Sequence, residues 1–288
     1  MTANLTTSAL LAAGYARLCA SGSESPQLEA ELLLAHALGQ NRARLKSHPE
    51  DVPQAATRSR YEQLIARRVG GEPLAYIVGF KDFWTLRLTV SPAVLVPRPE
   101  TELLVERALA LRPESEGRAV DLGTGSGAIA LALASERPQW HIAATDLSAD
   151  ALAVARDNAA RHSLTRVEFL QGSWFEPLGE RRFDLIVSNP PYIGAAEPET
   201  SSAALRREPQ GALSPGADAL AALREIIQAA PRHLEHGGWL LLEHGATQAA
   251  DVAHELVGRG FRHVRFHRDL AGHERVSEAQ WAQLNEAD

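Results

Sequence analysis

Apolar positions along the chain fall into three regimes. Over the first 70 residues they recur with helical spacing. In "SPQLEAELLLAHALG" Ser25 can cap a helix and Pro26 suits its first position; Leu28, Leu32 and Ala35 share a face, and Gly39 marks the stop. "TRSRYEQLIARRVGG" repeats the pattern, with Tyr61, Leu64 and Ile65 inward and Gly70-Gly71 as the stop. Residues 74–96, "LAYIVGFKDFWTLRLTVSPAVLV", are rich in aromatic and β-branched side chains, and Leu86, Leu88 and Val90 alternate. That composition predicts a hairpin or two rather than helix.

From about residue 98 strand and helix alternate. "RAVDLG", "WHIAATD", "VEFLQG", "FDLIVSNPPY" and "GGWLLLEHG" read as strands. Between and after them, "GAIALALASE", "SADALAVARDNAARH", "ADALAALREIIQAAPRHL" and "QAADVAHELVGRG" read as helices, and "FRHVRFHRDLAG" begins a closing strand pair. Such alternation builds a mostly parallel sheet covered by helices on both faces. The expected organisation is a helical N-terminal domain (1–73), a hairpin joint (74–97) and an α/β domain (98–288). There is no internal repeat and no low-complexity tract.

Composition changes this picture little. An apolar content of 45% and a charged content of 23% in 288 residues are ordinary for a globular protein. The net charge of −7 is uneven, +1 over residues 1–82 and −8 beyond. Residues 42–68 hold seven basic and three acidic side chains, either a solvated helix face or a surface for an acidic partner. An acidic chain without a long basic stripe argues against tight non-specific nucleic-acid binding. Cys19 is the only cysteine, which excludes an intrachain disulfide and a Cys-based zinc site and suits a reducing compartment. The opening "MTANLTTSALLAAGYARLCASG" lacks a basic n-region, and Tyr15 and Arg17 interrupt its apolar run, so no signal peptide is expected. No stretch reaches the ~18 apolar residues that a membrane span needs, and a cytoplasmic location is expected.

Candidate chemistry begins at "VDLGTGSGAIA". Gly123, Gly125 and Gly127 sit where a strand turns into a helix, where positive φ and exposed N–H groups let the backbone approach a ligand. Gly123, Gly125 and Ala128 also satisfy a relaxed dinucleotide fingerprint, a weak signal alone. Asp146 ends the next strand, nineteen residues after Gly127, where a carboxylate can accept both hydroxyls of a ribose. Together these favour an adenosine ligand, with NAD and S-adenosylmethionine both open.

"NPPY" at 189–192 follows the fourth strand of this domain and borders the same crevice. Pro190 and Pro191 freeze the backbone and leave carbonyls without competing N–H groups. Asn189 adds an amide acceptor and donor, and Tyr192 a flat wall with a polar tip. Rigid carbonyl and amide oxygens form a receptor for a planar –NH2 group.

With "DLGTGSG" before it, "NPPY" resembles the class I methyltransferases that methylate nitrogen conjugated to a π-system, in adenine, guanine or glutamine. "GGEPLAYIVGFKDFW", "LVPRPETELLVE", "EPQGAL", "GGWLLLEHG" and "DLAGHERV", spread from about residue 67 to 276, are similar to the glutamine-N5 methyltransferases of peptide-chain release factors. The resemblance implies a Rossmann-like class I sheet with an antiparallel last strand. It implies S-adenosylmethionine as methyl donor, S-adenosylhomocysteine as product, and no metal. The implied partner is a release factor, methylated on the glutamine of its Gly-Gly-Gln loop by a monomeric enzyme without direct contact to nucleic acid or membrane. On the same resemblance, Gly123, Thr124, Gly125, Ser126 and Gly127 would hold the methionine portion, Asp146 the ribose, and Trp174 the adenine. Asp121 would lie under the methionine amino group. The Asn189 side-chain oxygen and the Pro190 carbonyl would accept the two N–H bonds of the glutamine amide. Arg98 and Glu102 in "PRPETE" either help close the cofactor site or start a helix, and Glu243 and His244 are left without a role. The alternative is a DNA or RNA exocyclic-amine methyltransferase, which would need base flipping and phosphate contacts that this acidic domain does not advertise.

Overall fold

A computed structural model describes residues 5–112, 114, 116–194 and 204–282. The chain divides into two compact units, Met1–Gly79 with Ala203–Arg207, and Phe80–Ser202 with Glu208–Asp288. Both termini of the expected domains, residues 1–4 and 283–288, lie outside the described residues.

The first unit is helical: α1 (Thr7–Ala20), α2 (Pro26–Leu38), α3 (Arg42–Ser47), α4 (Ala55–Val69) and α5 (Leu74–Val78). Thr6 caps α1 and Asn41 caps α3, each side-chain oxygen accepting an N–H three residues on. Leu10, Leu18, Leu33, Leu34, Tyr61, Leu64, Ile65 and Ile77 form the core. The inward stripe of α2 differs from expectation. Ala35 is buried as expected, together with Ala30, Leu33, Leu34 and Ala37, whereas Leu28 is 40% exposed and Leu32 only partly covered. The helix is apolar on nearly every side, so two stripes of helical period compete, and packing against α1 and α4 selects one. Residues 74–78 form α5 instead of strand. Tyr76 and Ile77 bury their side chains there, and Gly79 at φ 87° ends the turn, so packing overrides their strand preference. The basic surplus is largely paired inside this unit: Arg42 and Lys46 with Glu31, Arg44 with Asp51, Arg67 with Glu72, and Arg68 with Glu29.

The second unit opens with a hairpin, β1 (Phe80–Phe83) and β2 (Leu86–Thr89), in which Phe80 faces Thr89. Then follow α6 (Glu102–Leu111), β3 (Arg118–Leu122), α7 (Ala128–Glu136), β4 (His141–Asp146), α8 (Ala149–Arg161), β5 (Glu168–Gln171) and β6 (Phe183–Ser188). The chain continues with α9 (Gln210–Leu213), α10 (Ala221–Ala229), β7 (Leu234–Glu243), α11 (Ala249–Arg259), β8 (Arg262–Arg268) and β9 (Glu274–Gln280). The sheet order is β5-β4-β3-β6-β7-β9-β8, parallel from β5 to β7, with β9 antiparallel to both β7 and β8.

The continuous apolar run in β6 follows from burial on both faces. Leu185 and Val187 pack with Leu104, Leu131 and Leu133 on one side. Ile186 packs with Leu223, Ile226, Leu240 and Leu256 on the other. Helix α10 gives way to a tight turn at Ala230–Arg232, where Pro231 withholds an N–H. The winding reverses between β3 and β6, so the carboxyl ends of β3, β4, β5 and β6 surround the crevice where such sheets bind ligands. Among the described residues no helix is long and apolar enough to cross a membrane.

Candidate active site

Four strand ends supply the site. After β3 the chain turns through Gly123, Gly125 and Gly127 at φ 72°, 57° and 84°, a region in which side chains are strained. The Gly123 and Thr124 N–H groups both donate to the Thr145 carbonyl at 2.9 Å, so the turn hangs on the last residues of β4. Asp146, ending β4, accepts the Gly125 N–H on one oxygen (2.8 Å) and the Ser148 N–H on the other (2.9 Å). Each carboxylate oxygen keeps a lone pair for a further donor. Burial raises the Asp146 pKa, opposed by these two N–H bonds.

After β5, Trp174 takes φ 42° and its carbonyl accepts the Thr145 hydroxyl at 2.9 Å. Its ring covers Gly123 so closely that a Cβ there would stand 3.2 Å from the ring. A cavity of about 510 Å³ opens between these elements, walled by Gly123, Asp146, Leu147, Trp174, Asn189 and Pro191 and by two segments around Leu95 and Gly211. Glu208 ties those two segments together, accepting the Val96 N–H at 3.0 Å and Arg98 Nη2 at 2.7 Å.

At the end of β6, Asn189 donates from Nδ2 to the Thr101 hydroxyl oxygen at 3.0 Å. The amide nitrogen is thereby engaged, and Asn189 lines the cavity. Pro190 is buried, and Tyr192 reaches the Glu243 carboxylate at 3.1 Å. Of the expected site residues, Gly123, Asp146, Trp174, Asn189 and Pro191 share the cavity wall. Thr124, Gly125, Ser126 and Gly127 form the supporting turn, with the Thr124 and Ser126 side chains buried.

The PrmC N-terminal domain family matches residues 9–79, and the methyltransferase small domain family matches residues 99–269. The release factor glutamine methyltransferase of Vibrio cholerae is 45% identical over 99% of this chain and 100% of its own. That of Pseudomonas aeruginosa is 50% identical over 90% of this chain and 94% of its own. The chain belongs to the release factor glutamine methyltransferase family. A methyltransferase structure from Pyrococcus furiosus, 20% identical, shares the fold with a TM-score of 0.54, covering 75% of this chain and 97% of its own. Membership in this methyltransferase family implies use of S-adenosylmethionine. The glycine turn without side chains, the ribose-spaced carboxylate and the indole over Gly123 fit such a group in this cavity.

Several family-motif residues take structural duties. Glu102 accepts the Trp84 N–H at 2.8 Å and so braces the β1–β2 turn, where Trp84 has φ 54°. Arg98 is the partner of Glu208 at the cavity rim. Asp121 is fully buried; one oxygen accepts the Thr124 hydroxyl (2.6 Å) and the Ala130 N–H (3.1 Å), while the other has no partner. Burial lifts its pKa to about 7. It is not part of the cavity wall, so it supports the glycine turn from beneath. His244, buried with Nδ1 3.0 Å from the Gly245 carbonyl, is kept neutral by burial, which lowers its pKa.

Sequence reasoning passed over four residues that shape the site. Thr101 and Glu208 sit in motifs quoted above, and their partners are far away in sequence. Gln248 donates to the Tyr192 carbonyl at 2.9 Å and fixes the backbone behind the elbow. Asn158, fully buried in α8, bonds both backbone groups of Thr89 and the Ser126 carbonyl, fastening the hairpin to the glycine turn. A buried Asn on the Ala151/Leu152/Ala155 face of a helix was the available signal.

Proposed function

We propose that this chain transfers the methyl group of S-adenosylmethionine to the side-chain amide nitrogen, N5, of the glutamine in the Gly-Gly-Gln loop of a peptide-chain release factor, leaving S-adenosylhomocysteine. The carrying observation is Asn189, which lines the cavity beside Gly123, Asp146 and Trp174 while its Nδ2 is taken up by the Thr101 hydroxyl. When bound, the cofactor supplies an electrophilic methyl. Asp146 holds the ribose, Trp174 the adenine, and the Gly123–Gly127 turn the methionine portion.

An amide nitrogen is a poor nucleophile because its lone pair is delocalised into the carbonyl. The Asn189 oxygen and the Pro190 carbonyl would accept its two N–H bonds, which aims the nitrogen and raises its electron density as the N–CH3 bond forms and the donor's S–CH3 bond breaks; the methylated amide cation then sheds one N–H proton to water. Alignment for in-line displacement supplies most of the acceleration, on the order of 7–11 kcal/mol for well-oriented reactants. Pro191 keeps the elbow stiff, and Tyr192 anchors it to the Glu243 carboxylate. The step requires no metal ion. A glutamate in place of the glutamine would set a charged acceptor against two acceptors, and rejection on the order of 10⁴-fold follows.

The enzyme acts as a cytoplasmic monomer on protein rather than nucleic acid, with the helical domain (1–73) and the hairpin joint (74–97) recognising the release factor. Labelled S-adenosylmethionine supplied with release factor, DNA and ribosomal RNA, followed by mass-spectrometric mapping, tests the reading. One methyl on the loop glutamine is expected; label on a nucleobase and none on release factor overturns it.

A further inference from the structure

We propose that Asn158 is a positioning residue for the cofactor turn, its amide holding the Ser126–Gly127 peptide from behind and joining it to the β1–β2 hairpin, so that a side chain outside the cavity sets cofactor affinity. The inference rests on the cofactor role given to the glycine turn above and adds the residue that fixes the second half of that turn.

The first half of the turn hangs from β4, through the Thr145 carbonyl and the Asp146 carboxylate. The second half has a different anchor. Asn158 Nδ2 donates to the Ser126 carbonyl at 2.9 Å, and the Gly127 N–H, in the same peptide plane, donates to the Thr124 carbonyl at 2.9 Å. That plane is held on both sides just where α7 begins. Helix α8 closes in behind it. Ala151, Ala155 and Asn158 stand at positions i, i+4 and i+7 and share a face. Ala151 lines the cavity, and a Cβ on Gly127 would stand 3.3 Å from the Ala155 methyl.

The same amide reaches the hairpin. Asn158 Oδ1 accepts the Thr89 N–H at 2.7 Å, and Nδ2 donates to the Thr89 carbonyl at 3.0 Å, the exchange a neighbouring strand would offer. One turn further along α8, His162 Nε2 lies 2.9 Å from the Arg87 carbonyl and stitches the same strand to the helix. These partners leave the amide one orientation. Both Nδ2 hydrogens meet carbonyls and the oxygen meets an N–H, so a flip would break all three bonds. Asn158 is fully buried, so water cannot stand in for any of them.

Titration of S-adenosylhomocysteine into the unaltered enzyme comes first. An unaltered enzyme that does not bind it defeats the cofactor reading itself; once it binds, the variants decide the role of Asn158. Asn158→Leu keeps the size and removes every bond, while Asn158→Asp keeps an acceptor for Thr89 and loses the donors to Ser126. Each should raise the Kd at least ~10-fold and the KM for S-adenosylmethionine in proportion, with kcat at saturating cofactor within about threefold. His162→Ala loosens the same hairpin without touching the turn. It should lower the melting temperature and leave the Kd within about twofold. An unchanged Kd in both Asn158 variants overturns the proposal, and so does a His162→Ala enzyme that loses as much affinity as they do. A second measurement needs no variant. The Thr89 N–H is not part of the cavity wall, yet on binding of S-adenosylhomocysteine it should exchange with deuterium at least ~5-fold more slowly. Amides of β8 in the same sample correct for any global stabilisation. Exchange at Thr89 that slows no more than in β8, beside protected amides at 123–127, overturns the proposal, and this result decides alone if the variants do not fold.

Discussion

Asp146→Asn is the sharpest test of the cofactor cradle. Both carboxylate oxygens already accept a backbone N–H, from Gly125 and from Ser148, so an amide at this position must turn its –NH2 toward one of them. The cofactor's two ribose hydroxyls then lose their bonds to a charged acceptor. A hydrogen bond to a charged group is worth about 1.5–3 kcal/mol and a neutral one about 0.5–1.5, so the deficit is roughly 1 kcal/mol per hydroxyl. Two hydroxyls give about 2 kcal/mol, or a Kd for S-adenosylmethionine raised ~30-fold. The transfer step at saturating cofactor should change little, because the role proposed for Asp146 is to hold the ribose and not the reacting nitrogen. Isothermal titration of S-adenosylhomocysteine, paired with single-turnover rates at high cofactor, separates the two effects. A Kd within twofold of the unaltered enzyme would refute the ribose assignment. So would a large rate loss that excess cofactor fails to restore.

Asn189→Ala should abolish methylation of release factor, by ~10³-fold or more, while cofactor affinity stays within about threefold, as measured by the same pair of assays. Gly123→Ala forces a side chain to φ 72° and sets its Cβ 3.2 Å from the Trp174 ring; expect weaker cofactor binding and a melting temperature lower by a few degrees in thermal scans. Burial raises the pKa of Asp121 and of Glu243 to about 7 in the folded chain, above the ordinary carboxylate range of the unfolded one. Their contribution to stability is full below about pH 4 and is lost as pH rises through about 7. Melting scans between pH 5 and 7.5 should show a negative pH slope that Asp121→Asn makes shallower, since the second oxygen of Asp121 has no bond to lose.

Local signals carried most of what could be read in advance. The strand–helix alternation, the glycine turn, Asp146 and the proline elbow are contiguous patterns whose meaning is set by backbone geometry. The chain fails to advertise what joins distant segments. Thr101 lies 88 residues from Asn189, Glu243 lies 51 from Tyr192, and Glu208 lies 112 from Val96. Each looks like an ordinary polar residue until the fold brings its partner. The misplacement of Leu28 and Leu32 in the α2 stripe, beside a correctly placed Ala35, has a different cause, because a helix apolar on nearly every side holds no single phase to read. For α5 the aromatic and β-branched content of "LAYIV" described a buried surface correctly but the wrong backbone for it.

The glycine turn hangs on Thr145 and Asp146 through hydrogen bonds that need no ligand to form. In the proposed binding mode Asp146 and Trp174 address the ribose and the adenine, which the methyl donor retains after it has reacted. The cradle therefore grips the spent molecule much as it grips the fresh one. On that binding mode product inhibition follows from the way the turn is hung, and turnover should track the ratio of the two forms as closely as the supply of release factor.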